Sequence, residues 1–167
     1  MLAGVPPLCV KRRMDGLTTR QLTAEVTRGV ARMLLREECV ALAEVPLPNG
    51  RRADLMALCP KGGITIVEVK VNRADLLGDG KWTDYLPFCD RFFWAVPEGL
   101  RSLCDAAERL PERAGLIIAD RYDAAIVRDA MTTALPGPRR RTQTLAFARR
   151  AARRLLGEDA LTEELSA

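Results

Sequence analysis

The eight residues from Ile64 to Val71 constrain this chain more than any other stretch. Six of them are β-branched, which favours a pleated, half-buried strand over a helix. In a strand, residues two apart share a face. Thr65, Val67, Val69 and Val71 therefore form one almost wholly apolar face, and Ile64, Ile66, Glu68 and Lys70 form the other. A charged pair in the middle of so hydrophobic a strand is costly to bury unless something compensates it. Pro60-Lys61-Gly62-Gly63 turns the chain just before this strand, and Arg52 to Cys59 reads as its hairpin partner. Asn49-Gly50 is a tight-turn signal, and Cys39 to Leu47 is a further short, alternating strand that stops at Pro46 and Pro48.

Around these three strands the spacing predicts helices. Leu17 to Glu38 carries Leu22, Val26, Val30, Met33 and Leu34 at helical intervals, with Thr18 or Thr19 as its cap. Asp75 to Asp90 repeats Leu76, Trp82, Tyr85, Leu86 and Cys89 at roughly helical spacing, although Gly78 and Gly80 weaken its first turns. Arg91 to Val96 is a fourth strand, Pro97 to Leu110 a helix, and Leu116 to Ala119 and Ala124 to Val127 two more strands joined at Asp120 to Asp123. Pro136-Gly137-Pro138 breaks the chain, Thr142 to Leu156 is a final helix, and the tail beyond Gly157 is acidic. Hairpin strands followed by crossover helices imply an α/β fold, a mixed sheet flanked by helices. Residues 1–16 are expected to be a flexible arm, and residues 17–167 a single domain.

Composition removes several chemistries. The chain has no histidine, so neither a histidine-bearing zinc site nor a serine or cysteine triad with histidine is available. Its five cysteines, Cys9, Cys39, Cys59, Cys89 and Cys104, are scattered without a C-x-x-C pair and are expected to be reduced core residues. No apolar run approaches the roughly 18 residues that span a bilayer. The short apolar stretch at the N-terminus precedes Lys11, Arg12 and Arg13, the reverse of a secretory signal. A cytoplasmic protein is expected. The net charge of +4 is concentrated late in the chain, in Arg139, Arg140 and Arg141 and then Arg149, Arg150, Arg153 and Arg154. Such a cluster suits a polyanion and equally suits a solvated helix face.

What remains for acid–base work is carboxylates, lysine, tyrosine or a metal-activated water. Asp54, near the start of the second strand, folds back towards Glu68 on the third; simple antiparallel counting pairs it with Val69, leaving the register open by one residue. Two carboxylates and an ammonium in one small space suit Mg²⁺ or Mn²⁺, which take the rest of their shell from water and substrate phosphate. The metal would polarise a phosphate and Lys70 would orient the attacking water or steady the developing charge. The competing reading is an exposed Glu-Lys pair contributing about 0–1 kcal/mol.

Arg51-Arg52-Ala53-Asp54, Ile66-Val67-Glu68-Val69-Lys70, Lys81-Trp82 with Tyr85, Cys89-Asp90-Arg91-Phe92 and Ala95-Val96-Pro97 together resemble the MmcB-related DNA repair family of the PD-(D/E)xK nuclease superfamily. The resemblance covers Leu17 to Pro97 and departs mildly at Ala53, where the superfamily motif has proline. It implies a restriction-endonuclease-like αβββαβ core, a DNA-repair role and a divalent-metal phosphodiesterase site at Asp54, Glu68 and Lys70. Superfamily members often add a glutamate from the first helix or first strand, which makes Glu25 and Glu44 the candidates for a further ligand. Lys81 and Tyr85, one helical turn apart, are expected to reach substrate phosphate, as are Arg139, Arg140, Arg141, Arg149 and Arg153. Asp75 and Asp79 are likewise one turn apart; Trp82 is expected in the core.

The leading expectation is a metal-dependent DNA nuclease acting in repair, selective for DNA structure rather than sequence because nothing in the chain reads bases. A nuclease-fold DNA-binding or recruitment module that no longer cuts is the alternative, and a structural protein a third. A repair-protein partner fits either of the first two, and the oligomeric state stays open, a homodimer included.

Overall fold

Thr18 begins the first helix through a reciprocal cap. Its hydroxyl accepts from the Gln21 amide at 3.2 Å, and the Gln21 side chain accepts from the Thr18 amide at 2.9 Å. Helix α1 then runs Thr19–Arg36 and buries Val26, Gly29, Val30, Met33 and Leu34 along one stripe. In this computed structural model, residues 16–78, 80–105 and 111–157 are described; the expected N-terminal arm and the acidic tail lie outside them.

Six strands follow in chain order across one sheet: β1 (Val40–Pro46), β2 (Arg52–Leu58), β3 (Ile64–Val69), β4 (Arg91–Val96), β5 (Ala114–Ala119) and β6 (Ala124–Arg128). β1, β2 and β3 form an antiparallel meander, β4 and β5 add parallel to β3, and β6 returns antiparallel. The sheet is therefore mixed, and the opening order α1-β1-β2-β3-α2-β4 has the αβββαβ form, with α2 at Arg73–Leu77. The alternation of β3 sorts the two layers. Val67 and Val69 pack with Phe93, Ala95 and Ile117 beneath α1, whereas Ile64 and Ile66 pack with Phe92, Val96, Tyr85 and Phe147 on the opposite side. The structure thus has the α/β class, a mixed sheet between helical layers.

Three sequence expectations change. The helix over 75–90 is two pieces: α2 ends at Gly78, and a 3-10 stretch spans Trp82–Phe88 with Pro87 inside it. Similarly, Pro97 leads into a 3-10 turn, Glu98–Leu100, and a short α3, Arg101–Asp105; the expected continuation over residues 106–110 lies outside the described residues. The last helix, α4, spans Gly137–Leu155 and so starts before Thr142. Pro138 sits in its first turn, where proline's missing amide and fixed φ cost nothing, so the Pro-Gly-Pro run opens the helix instead of preceding it.

The cysteines need the plainest correction. Cys39 and Cys59 form a disulfide, with Cα atoms 4.0 Å apart. Val40 pairs with Leu58, so the next position outward brings Cys39 and Cys59 face to face at the open end of the β1–β2 hairpin. Cys89 and Cys104 are buried free thiols, as expected, and Cys9 lies outside the described residues.

A candidate two-carboxylate active site

The site forms where the β2–β3 ladder ends. Leu55 pairs with Val67, so the next rung sets Asp54 opposite Glu68, one residue from the simple count. At this rung the side chains take over from the backbone. The Asp54 amide donates to Glu68 Oε1 at 3.1 Å, and the Val69 amide donates to Asp54 Oδ2 at 2.8 Å. Each carboxylate thereby satisfies an amide near the end of the ladder, and each keeps its second oxygen out of these two bonds.

Lys70 follows on the same face as Glu68. Its amide donates to the Ala95 carbonyl at 2.9 Å, anchoring the backbone to β4. Its Nζ lies 3.4 Å from Asp75 Oδ1 at the start of α2, where the Asn72 side chain caps the helix by accepting from the Asp75 amide. Glu68 is 5% exposed and Lys70 9%, so the charged pair is in the interior and is not a surface ion pair.

Burial and charge act strongly on the acids. The Glu68 carboxyl is pushed up to about 8, first by burial and then by the charge of Asp54; the Asp54 amide, Lys70 and a hydrogen bond from Tyr85 pull the other way. Burial also raises Asp54, with Glu44 and Asp75 adding to it, against the Val69 hydrogen bond and Lys70. Two neighbouring acids whose charged forms are both disfavoured by burial are a donor set that a divalent cation would relieve. The chemistry of the donors therefore fits Mg²⁺ or Mn²⁺ held by Asp54 and Glu68. Among the described residues, no group of three or more Asp, Glu, Cys or His is arranged to hold a metal.

The accessory acids separate. Ala43 pairs with Leu55 and Val45 with Ala53, which sets Glu44 opposite Asp54 and extends the row to Glu44, Asp54 and Glu68. Glu44 has a left-handed φ of 55° and its carboxylate pairs with Arg52 at 2.5 Å. Glu25, by contrast, is on the α1 layer, 3.8 Å from Arg121 beyond β5. The structure brings Glu44 towards the acids and leaves Glu25 beside Arg121. Asp79 lies outside the described residues.

Tyr85 and Lys81 do not share a helical face, because the segment is a 3-10 stretch with Lys81 at its N-cap. Tyr85 is buried, stacks on Phe92, and directs its hydroxyl to Glu68 and to the Arg52 carbonyl at 3.4 Å. It braces the acid from behind. Lys81 is exposed, and Trp82 packs against the core beside Phe92, as expected.

The arginines divide in the same way. Arg140 makes two bonds to Asp90, at 2.6 and 2.7 Å, and one to the Gly62 carbonyl at 2.7 Å, so its guanidinium is committed to the fold. Arg139 donates to the Pro87 carbonyl at 3.3 Å and is exposed, as are Arg141, Arg149 and Arg153. Sequence reasoning missed the roles of Arg150 and Arg154. They donate to the Glu44 and Ala43 carbonyls respectively and hold α4 against the β1 edge. No sequence signal marked these two among the clustered arginines, because choosing between them requires the orientation of α4.

A family model described as DNA repair protein MmcB-like matches residues 11–161. A solved protein of unknown function from Silicibacter pomeroyi is 46% identical, with a TM-score of 0.71 over 84% of this chain and 90% of that one. A repair endonuclease from Pyrococcus abyssi is 16% identical over 56% of this chain and 46% of its own, with a TM-score of 0.34. No curated protein matches the chain.

Proposed function

This chain belongs to the MmcB-like DNA repair protein family, and from that premise we propose that it is a Mg²⁺- or Mn²⁺-dependent deoxyribonuclease. The observation that carries the reading is the crossed pair of carboxylates at the end of the β2–β3 ladder, with Lys70 buried beside them. Asp54 and Glu68 would hold the ion. When bound, it supplies Lewis-acid polarisation of a phosphodiester and a lowered pKa for water. Lys70, fixed at its backbone by Ala95, orients the attacking water and steadies charge developing on the phosphate oxygens. Tyr85 fixes the Glu68 carboxylate so that its geometry is set before substrate arrives.

DNA is the substrate class that fits the repair family and the arginine-rich α4, with selection for DNA structure. Lys81, Arg139, Arg141, Arg149 and Arg153 are exposed and suited to backbone phosphates; Arg140 is withdrawn from that role by Asp90.

The test is a cleavage panel over duplex, nicked, flap and junction DNA with Mg²⁺ or Mn²⁺. Lys70→Ala and Asp54→Asn should each abolish cutting while the circular-dichroism spectrum stays native. Undiminished metal-dependent activity in both variants would sink the assignment. A second reading, a DNA-binding module that no longer cuts, is favoured by the absence of a three-ligand acidic group among the described residues. Binding of branched or single-stranded DNA without cleavage in either metal would select it.

A further inference from the structure

We propose that the groove between β1 and α4 is a docking track for a single nucleic-acid strand, leading it to Asp54 and Glu68. The proposal rests on the nuclease reading for where the track leads, but not for what it binds. Val45, Pro46, Leu145 and Ala146 form its apolar lining, and Arg149 and Arg153 rim it; its volume is about 520 Å³. Leu145 is 54% exposed there, an uncovered aliphatic side chain beside two cations.

That mixture discriminates between forms of nucleic acid. A duplex turns its bases inward and offers only sugar and phosphate, so an apolar floor would face polar groups and gain nothing. A single strand can lay base faces on the exposed Leu145 and Pro46 while its phosphates meet the arginine rim. Arg150 and Arg154 hold the two walls of the groove together by binding α4 to the edge carbonyls of β1. Pairing to those carbonyls also occupies acceptors on an edge strand that would otherwise attract another strand.

Its position connects it to the acids. Val45 pairs with Ala53, the neighbour of Asp54, and Glu44 lies opposite Asp54 in the same cross-strand row as Glu68. Two strand spacings separate β1 from β3, roughly 10 Å, a reach that a short run of nucleotides covers. Glu68 is 5% exposed, so little of it is open to a phosphate, and a flexible strand can bring one to it more readily than a stiff duplex.

Fluorescence anisotropy in EDTA, with labelled single-stranded and blunt duplex oligonucleotides, separates binding from cutting. The wild type should bind the single strand more tightly than the duplex. Arg149→Ala with Arg153→Ala should weaken single-strand binding about tenfold and reduce its salt slope by about 1.4. Leu145→Asn, which changes no charge, should weaken the single strand while leaving the duplex unchanged. Equal losses for both oligonucleotides, or no loss from either variant, would overturn the proposal. So would sedimentation showing that Leu145→Asn splits a dimer, since the groove would then be covered by a second copy. If Lys70→Ala cuts normally while the binding results hold, the nuclease reading fails and the track survives.

Discussion

Two carboxylates in the molecule respond oppositely to their surroundings, and each leaves a pH signature. Glu68 is raised to about 8 by burial and by Asp54, so the folded state holds its proton more tightly than the unfolded chain. Its contribution to stability is present below the ordinary glutamate range and is lost as pH rises through about 8. In EDTA, thermal melts should show Tm falling across that window, and Glu68→Gln should flatten the slope. Mg²⁺ should restore more Tm near pH 8 than near pH 5, where protons already relieve the pair. Asp90 goes the other way. Burial pushes its carboxyl up, but hydrogen bonds from Arg140 and from the Ile64 and Leu135 amides outweigh it and leave a net lowering. Its stabilisation is present above the ordinary carboxylate range and is lost as pH falls through the lowered value. Arg140→Ala should cost roughly 2–3 kcal/mol by chemical denaturation, because it leaves the Asp90 carboxylate with its two amide donors but without its charged partner.

The packing of whole elements depends on a few small contacts. A Cβ built on Gly29 of α1 would lie 2.0 Å from the Asp120 carbonyl oxygen, so only glycine lets the helix approach the β5–β6 turn this closely. Gly29→Ala should destabilise by about 2–4 kcal/mol in urea melts, since the obstacle is backbone that cannot swing away. The Cys39–Cys59 bridge closes the open end of the β1–β2 hairpin. Replacing both cysteines with serine should lower stability by about 3 kcal/mol on chain-entropy grounds, and dithiothreitol should do the same to the wild type. Neither contact was legible in the sequence, because both join residues whose neighbourhood depends on register. Strands were legible where β-branched and aromatic residues crowd, as in Ile64–Val69 and Arg91–Val96. α1 was legible from its apolar stripe. The 75–90 helix misled because Leu76, Tyr85 and Cys89 all face the core, yet Gly78 ends the first piece. The pairing of Asp54 stayed open by one position because it depends on the Cys59–Gly63 connection, where Lys61 and Gly62 both take left-handed φ, a geometry that residue counting does not reveal.

At the scale of the whole molecule, family and fold agree. A chain of the MmcB-like DNA repair family carries an αβββαβ opening, a mixed sheet between helical layers and an arginine-rich helix beside its acidic row. None of the described helices is long and apolar enough to cross a membrane. A cation bound only by the folded state should raise Tm with concentration, adding roughly 3 kcal/mol of stability at a hundredfold excess over Kd. Calorimetry on wild type and Asp54→Asn checks this, and an equal Mg²⁺ response in both would place the ion elsewhere. The crossed hydrogen bonds of Asp54 and Glu68 bear on how such a protein ages. These acids complete the β2–β3 junction whether or not a phosphodiester is ever cut, so folding alone would keep them through mutational drift. In a lineage that had given up hydrolysis, the Lys70 ammonium, which neither of these bonds requires, would be freer to change than the two acids. Its survival is therefore the more telling mark of a blade still in use.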